Sequence, residues 1–131
     1  MAKTTASLNR DDYLIDDGND SKVIIRNLAG IPGGVTLDMT GWSPDYVRAG
    51  HIIKHNTSTG VYAPLGITGS DNDTYASLEA NEEYAGVLVV SVLKDKPFAP
   101  VMTIGEVNAA ASPYAVSSTI KSGLPQIKFL Y

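Results

Sequence analysis

One stretch constrains this chain more than any other, the run from Tyr84 to Asn108. Its first arm, Tyr84 to Leu93, is almost continuously apolar and rich in Val, the pattern of a strand buried on both faces. The polar break Lys94-Asp95-Lys96-Pro97 turns the chain, and Val101 to Val107 supplies a second β-rich arm. Pro97 and Pro100 cannot donate to a ladder, so regular pairing is expected to begin after them. The stretch reads as the central hairpin of a small β-rich domain.

The rest of the sequence is consistent with one such domain. At 131 residues with 44% hydrophobic side chains, the chain can bury a real core. Cysteine is absent, which removes disulfides and thiolate metal sites. The net charge of −4 argues against a nucleic-acid partner held through phosphates. No apolar run is long enough to cross a membrane as a helix, and the N-terminus has no apolar signal-peptide core, so synthesis in the cytoplasm without export is expected.

Residues 1–21 differ in composition from everything that follows. Asp11-Asp12, Asp16-Asp17 and Asp20 surround a lone apolar triplet, Tyr13-Leu14-Ile15. So little apolar area cannot offset the entropy of ordering the segment by itself. It reads as a solvated arm, or as one that orders on a partner with Tyr13, Leu14 and Ile15 as anchors. Residues 22–131 form the expected domain.

Within that domain, Val23-Ile24-Ile25 and Val35 to Met39 are short strands, and Leu28 to Gly34 reads as loop between them. Gly41 to Asp45 is a turn carrying the chain's single Trp. Trp42 suits a cap on the core edge, or alternatively a contact anchor for a partner. Tyr46 to His55 reads as a strand with Gly50 as a bulge or close-approach site. Asn56 to Gly60 turns it into a returning arm, Val61 to Leu65. Gly66 to Glu83 is an excursion loop with one helical turn near Ala76 to Glu79. Ser112 as N-cap, Pro113 at the first helical position and Gly123 past the end mark a short helix whose core face is Val116 and Ile120. Gln126 to Tyr131 alternates, with Ile127, Phe129 and Tyr131 on one face, and reads as a docked final strand. The fold class expected is mainly β (α+β).

Chemistry is sparse. His51 and His55 share a face in either a strand or a helix, but a zinc site needs further ligands that the sequence does not place beside them. They read as polar residues on a hairpin rim. Glu82-Glu83 and the Asp71/Asp73 pair read as solvated carboxylates. The Asp16 to Asp20 run fails calcium-loop spacing, because Tyr13 would occupy the first ligand position. No nucleophile-elbow motif or phosphate-binding loop is present. Neither an enzyme nor a cofactor site is expected.

Several segments together resemble phage head decoration proteins of the lambda type and related head-fibre or auxiliary capsid proteins. They are Val47 to Ile53 followed by Gly60 to Leu65, then Gly86 to Val90, Gly105-Glu106-Val107-Asn108, and Pro125 to Phe129. Ile31 to Asp38 is similar to the head-fibre type, in particular to auxiliary capsid proteins of crAss-like gut phages. The resemblance covers roughly residues 30–131. It implies a small β-rich fold on the outer surface of the virion, binding the major capsid protein lattice, often as a homotrimer, and reinforcing it. An outward-facing adhesion module, for example for glycans, is the alternative; adjacent exposed Tyr62, Tyr75 and Tyr84 would favour it.

Overall fold

The structure, a computed structural model, describes residues 20–131. It is mostly β, with two short helices, one of them near the C-terminus. A helical turn, α1 (Asp20–Val23), leads into β1 (Ile24–Gly30), followed by β2 (Val35–Thr36), β3 (Tyr46–Val47), β4 (Ile52–Asn56) and β5 (Tyr62–Pro64). Then come β6 (Ile67–Thr68), β7 (Thr74–Tyr75), β8 (Glu82–Leu88), β9 (Val92–Leu93), β10 (Phe98–Ala99) and β11 (Val101–Asn108). A 3-10 turn (Ala109–Ala111), α2 (Ser118–Gly123) and β12 (Ile127–Leu130) complete the order.

Six strands make the main sheet, in the order β1-β11-β8-β4-β5, with β12 beside β11. β8 meets β11 antiparallel only at Leu88↔Val101 and Val87↔Met102. Beyond that point β12 pairs in parallel with Gly105–Asn108. The final strand therefore docks, as its alternation predicts. Ile127 is buried, but Tyr131 lies outside the core face, 89% exposed.

The centre of the sheet is buried on both faces, as the apolar run demands. On three adjacent strands, neighbouring residues fall into opposite clusters, as a period of two requires. Ile52, Val87 and Met102 enter one cluster with Val107, Ile120, Leu124 and Ile127. Ile53, Leu88 and Val101 enter the other with Leu37, Trp42, Val47, Val92 and Ala99. Gly86 sits where β11 approaches closely, and a Cβ there would run into the Met102 carbonyl.

The apolar run does not stay one strand, however. β8 ends at Leu88, Val90 turns out to 46% exposure, and Val92-Leu93 pairs with β3 instead. The Ser91 hydroxyl accepts the Ala49 amide at 2.9 Å, pinning the crossover. Likewise Phe98-Ala99 pairs with β2, Thr36 and Val35 lying opposite. The expected turn at Lys94–Pro97 is present, closed by the Lys96 amide on the Leu93 carbonyl at 3.0 Å. The hairpin is thus real at its base, while its tip is divided between two small ribbons.

Other boundaries differ from expectation. Leu28–Gly30 is strand, not loop, because β11 offers a full-length partner; only Ile31–Gly34 turns, with Gly34 N–H on the Ile31 carbonyl. Val35 to Met39 is strand for two residues, after which Leu37 bridges Tyr62. The strand expected over Tyr46 to His55 is interrupted between Val47 and Ile52, around Gly50, whose φ of +91 and closeness to the Val23 side chain exclude any other residue without strain. Ala76 to Glu79 forms no helical turn; the excursion instead folds as the β6–β7 ribbon. Ser112 and Pro113 do not start the helix. Ser117 does, its hydroxyl accepting from Ile120 N–H at 3.3 Å. Val116 still packs against the core, from outside the helix.

Candidate functional site

The surface around the Trp42 turn is indented on two sides. A cleft of about 400 Å³ opens between this turn and the β4–β5 hairpin. A second, of about 350 Å³, lies on the other flank, between Pro44, Ile67, Asn72 and Tyr114. Trp42 lines both. The sequence suggested two roles for this residue, and its placement fits the first: at 9% exposure it caps the edge of the core. Its indole N–H donates to the Tyr46 carbonyl at 3.0 Å, and the Lys94 ammonium donates to its carbonyl. The turn is therefore held rigidly against the sheet.

Polar groups of the larger cleft are already organised. Lys54 pairs with Glu82 at 2.9 Å. That hydrogen bond, with a second from the Glu79 amide, holds the Glu82 carboxyl below its ordinary range. On the facing wall, Asp38 is lowered likewise by the Thr40 hydroxyl at 2.7 Å and the Thr40 amide at 3.0 Å. Asn56 accepts the Ser58 and Thr59 amides, fixing the hairpin tip. The cleft thus presents two ionised carboxylates and one ammonium on a stiff frame, a surface suited to hydrogen-bonding ligands.

Behind Trp42 lies His51, and here the expectation of a rim residue is wrong. Because Gly50 breaks the strand, His51 drops into the interior at 1% exposure. Trp42, Tyr75 and Tyr114 meet its ring edge-on, with centroids 5.1, 5.1 and 5.7 Å away. Nε2 lies 2.8 Å from the Leu65 carbonyl, which can only accept, so this nitrogen carries the proton in the neutral ring. Burial pushes its pKa down to about 4, the carbonyl opposing this only in part. Tyr75, itself buried and pushed upward in pKa for the same reason, accepts the Ile52 amide through its hydroxyl at 3.2 Å. The cage is a structural lock on four separated chain segments.

His55 does lie on the hairpin, stacked on Tyr62 and 2.9 Å from the Glu83 carboxylate. The two histidines therefore form no pair. Among the described residues, no group of three His, Cys, Asp or Glu could hold a metal ion. Tyr62, Tyr75 and Tyr84 do not form a platform: Tyr75 is buried, and Tyr84 and Tyr62 pack against opposite clusters. Tyr13, Leu14 and Ile15, and the Asp16 to Asp20 run apart from the backbone of Asp20, lie outside the described residues. The sequence pointed to Trp42, and to Tyr75 only as a candidate exposed ring, but not to Tyr114 or the Lys54–Glu82 pair. These partners are distant in sequence, and no local pattern joins them. No protein-family profile, curated protein or solved structure matches this chain.

Proposed function

We propose that this protein is a structural capsid decoration protein, one that binds the outer surface of an assembled phage shell and stabilises it. One observation carries the reading. The segments that resemble decoration proteins, from Val47 to Phe129, fall largely on one sheet, while Ile31 to Asp38, the segment similar to auxiliary capsid proteins, lies at β2 in its own ribbon with β10. The former supply the β4–β5 hairpin, β8, the end of β11, and β12, which pairs with that end residue by residue from Gly105 to Asn108. That arrangement fits the small β-rich fold that the resemblance implies. A shell repeats the same site many times, so a protein that binds only the assembled lattice stabilises it by mass action even at modest affinity per copy. The arm, with Tyr13, Leu14 and Ile15 as anchors, adds contact area if it orders on the shell.

The test is co-sedimentation with empty, mature heads. Saturable binding at a fixed ratio to shell subunits, with raised resistance of the heads to heat or chelator, is expected. No binding at tens of micromolar overturns the reading. Removing residues 1–20 is expected to weaken shell binding while leaving the melting temperature within a few degrees. The clefts flanking Trp42 favour a second reading, an adhesion module facing outward, which a glycan screen addresses.

A further inference from the structure

Of the three rings that enclose the His51 imidazole, Tyr114 is the least firmly held. It sits in residues 112–117, a stretch without regular secondary structure between the 3-10 turn and α2. Both ends of that stretch are fixed: the Ser112 amide donates to the Ala109 carbonyl at 3.3 Å, and Ser117 caps α2. Between them, among the described residues, the Tyr114 side chain is held by ring contacts with His51 and Tyr75 and by packing on the core. The other two rings are tied by hydrogen bonds, Trp42 to the Tyr46 carbonyl and Tyr75 to the Ile52 amide. His51 is anchored from behind, since its carbonyl accepts the Leu88 amide of β8 at 2.9 Å.

There is room for water beside the imidazole. A cavity of about 60 Å³, enough for about two waters, is lined by His51 and Tyr114 together with Trp42, Pro44, Tyr46, Arg48 and Pro113. An imidazolium here would meet no acid. The groups around the ring are Trp42, Tyr75, Tyr114 and the Leu65 carbonyl, with Tyr46 and Arg48 on the cavity wall, and Arg48 carries the same sign of charge. A protonated ring therefore needs water that burial withholds. Lifting Tyr114 admits that water at the lowest cost, because no strand pair is separated.

We propose that residues 112–117 form an acid-released lid, closed over the neutral His51 imidazole and lifted when that ring takes up a proton. Closed, the ring has a pKa of about 4, against 6.5 for an open one. Across that window the open-to-closed ratio rises about tenfold per pH unit as pH falls, about 300-fold in all. Tyr114 also walls the cleft of about 350 Å³ beside Pro44 and Ile67, so release reshapes that cleft. The lid is a property of the isolated chain and is independent of the decoration reading.

The chain has two histidines and a single Trp, so ring-proton NMR follows His51 apart from His55, and acrylamide quenching of Trp42 reports the cage. In wild type, Trp42 is expected to become more quenchable as His51 titrates, at a pH where circular dichroism is still native. Tyr114→Ala removes the lid; it is expected to move the His51 titration up toward 6.5 and to leave Trp42 more quenchable at neutral pH. Tyr114→Phe keeps the ring and should behave as wild type. His51→Gln should abolish the acid-dependent quenching. Trp42 that stays shielded while His51 titrates overturns the proposal. So does quenching that appears only together with loss of dichroism, or a His51 titration that Tyr114→Ala leaves in place. If Tyr114→Ala does not fold, the two wild-type titrations decide the matter alone. None of these readouts involves heads, so failure of the lid and failure of shell binding are separate results.

Discussion

Within five residues β4 passes from one kind of environment to its opposite. Ile52 and Ile53, at its start, are both fully buried, on opposite faces of the sheet. Lys54, His55 and Asn56, at its end, are only half-buried and carry an ion pair, a ring stack and a turn cap. The register shift against β8 between Ile53 and Lys54 marks the boundary. The two histidines report the contrast: His51 is caged in aromatics just before the strand, and His55, half-buried, stacks on Tyr62 inside it. One strand here serves both as core and as polar surface, and residue type alone does not say which part a position belongs to.

The largest expected effect lies opposite the buried half. Gly86 faces Ile53, and Gly86→Ala drives a methyl group into the Met102 carbonyl and against the Val101 side chain. Loss of soluble, folded protein is expected, read by circular dichroism; a melting temperature near wild type would remove the distinction between the two halves at its root. Ile53→Ala comes next, with a loss of about 3–4 kcal/mol in urea unfolding from lost burial and the cavity left behind.

The pH profile gives a similar but conditional loss. His51 has a folded-state pKa near 4 against 6.5 when unfolded, so between those values the unfolded chain takes up a proton that the folded one refuses. Stability is full above about pH 6.5 and falls by about 3 kcal/mol as pH drops toward 4. His51→Gln keeps a donor for Leu65 and should flatten that window; an unchanged slope would mean the loss arises elsewhere. Protonation of Asp38 and Glu82 adds its own loss at lower pH, since both carboxyls are held below their ordinary values. At the polar half of β4, Glu82→Gln should cost no more than about 1 kcal/mol, as expected for a partly exposed ion pair. His55→Ala should stay within about 0.5 kcal/mol of wild type. A larger loss in either would show that the outer half of the strand is structural too.

Fold class, the two-sided core strand, the β4–β5 hairpin, the Gly50 close approach and the docked last strand were all legible from residue pattern. Their signals are local: apolar periodicity, turn residues, a glycine where the chain must pass. What was not legible came from competition between partners far apart in sequence. Val92-Leu93 has the composition to continue β8, but β3 offers it a closer partner. Leu28 and Ala29 sit among loop formers, yet β11 recruits them. Ser112-Pro113 carries a helix-start signature, but Ser117 caps the helix that forms. The His51 cage was hidden for the same reason, since its rings arrive from positions 42, 51, 75 and 114.

The pairing of both outer strands with β11 has a topological consequence. Val107 has Ile24 on one side and Phe129 on the other, so these two points of the chain are roughly 10 Å apart, two strand spacings. A short glycine–serine linker can therefore close the described chain into a ring, from Tyr131 back to Lys22. The ring can be reopened in the exposed Thr57-Ser58-Thr59 turn without cutting a ladder. Such a circular permutant keeps every strand neighbour while moving both ends of the domain from beside β11 to the tip of the β4–β5 hairpin, so a fused passenger would leave the molecule from a different place.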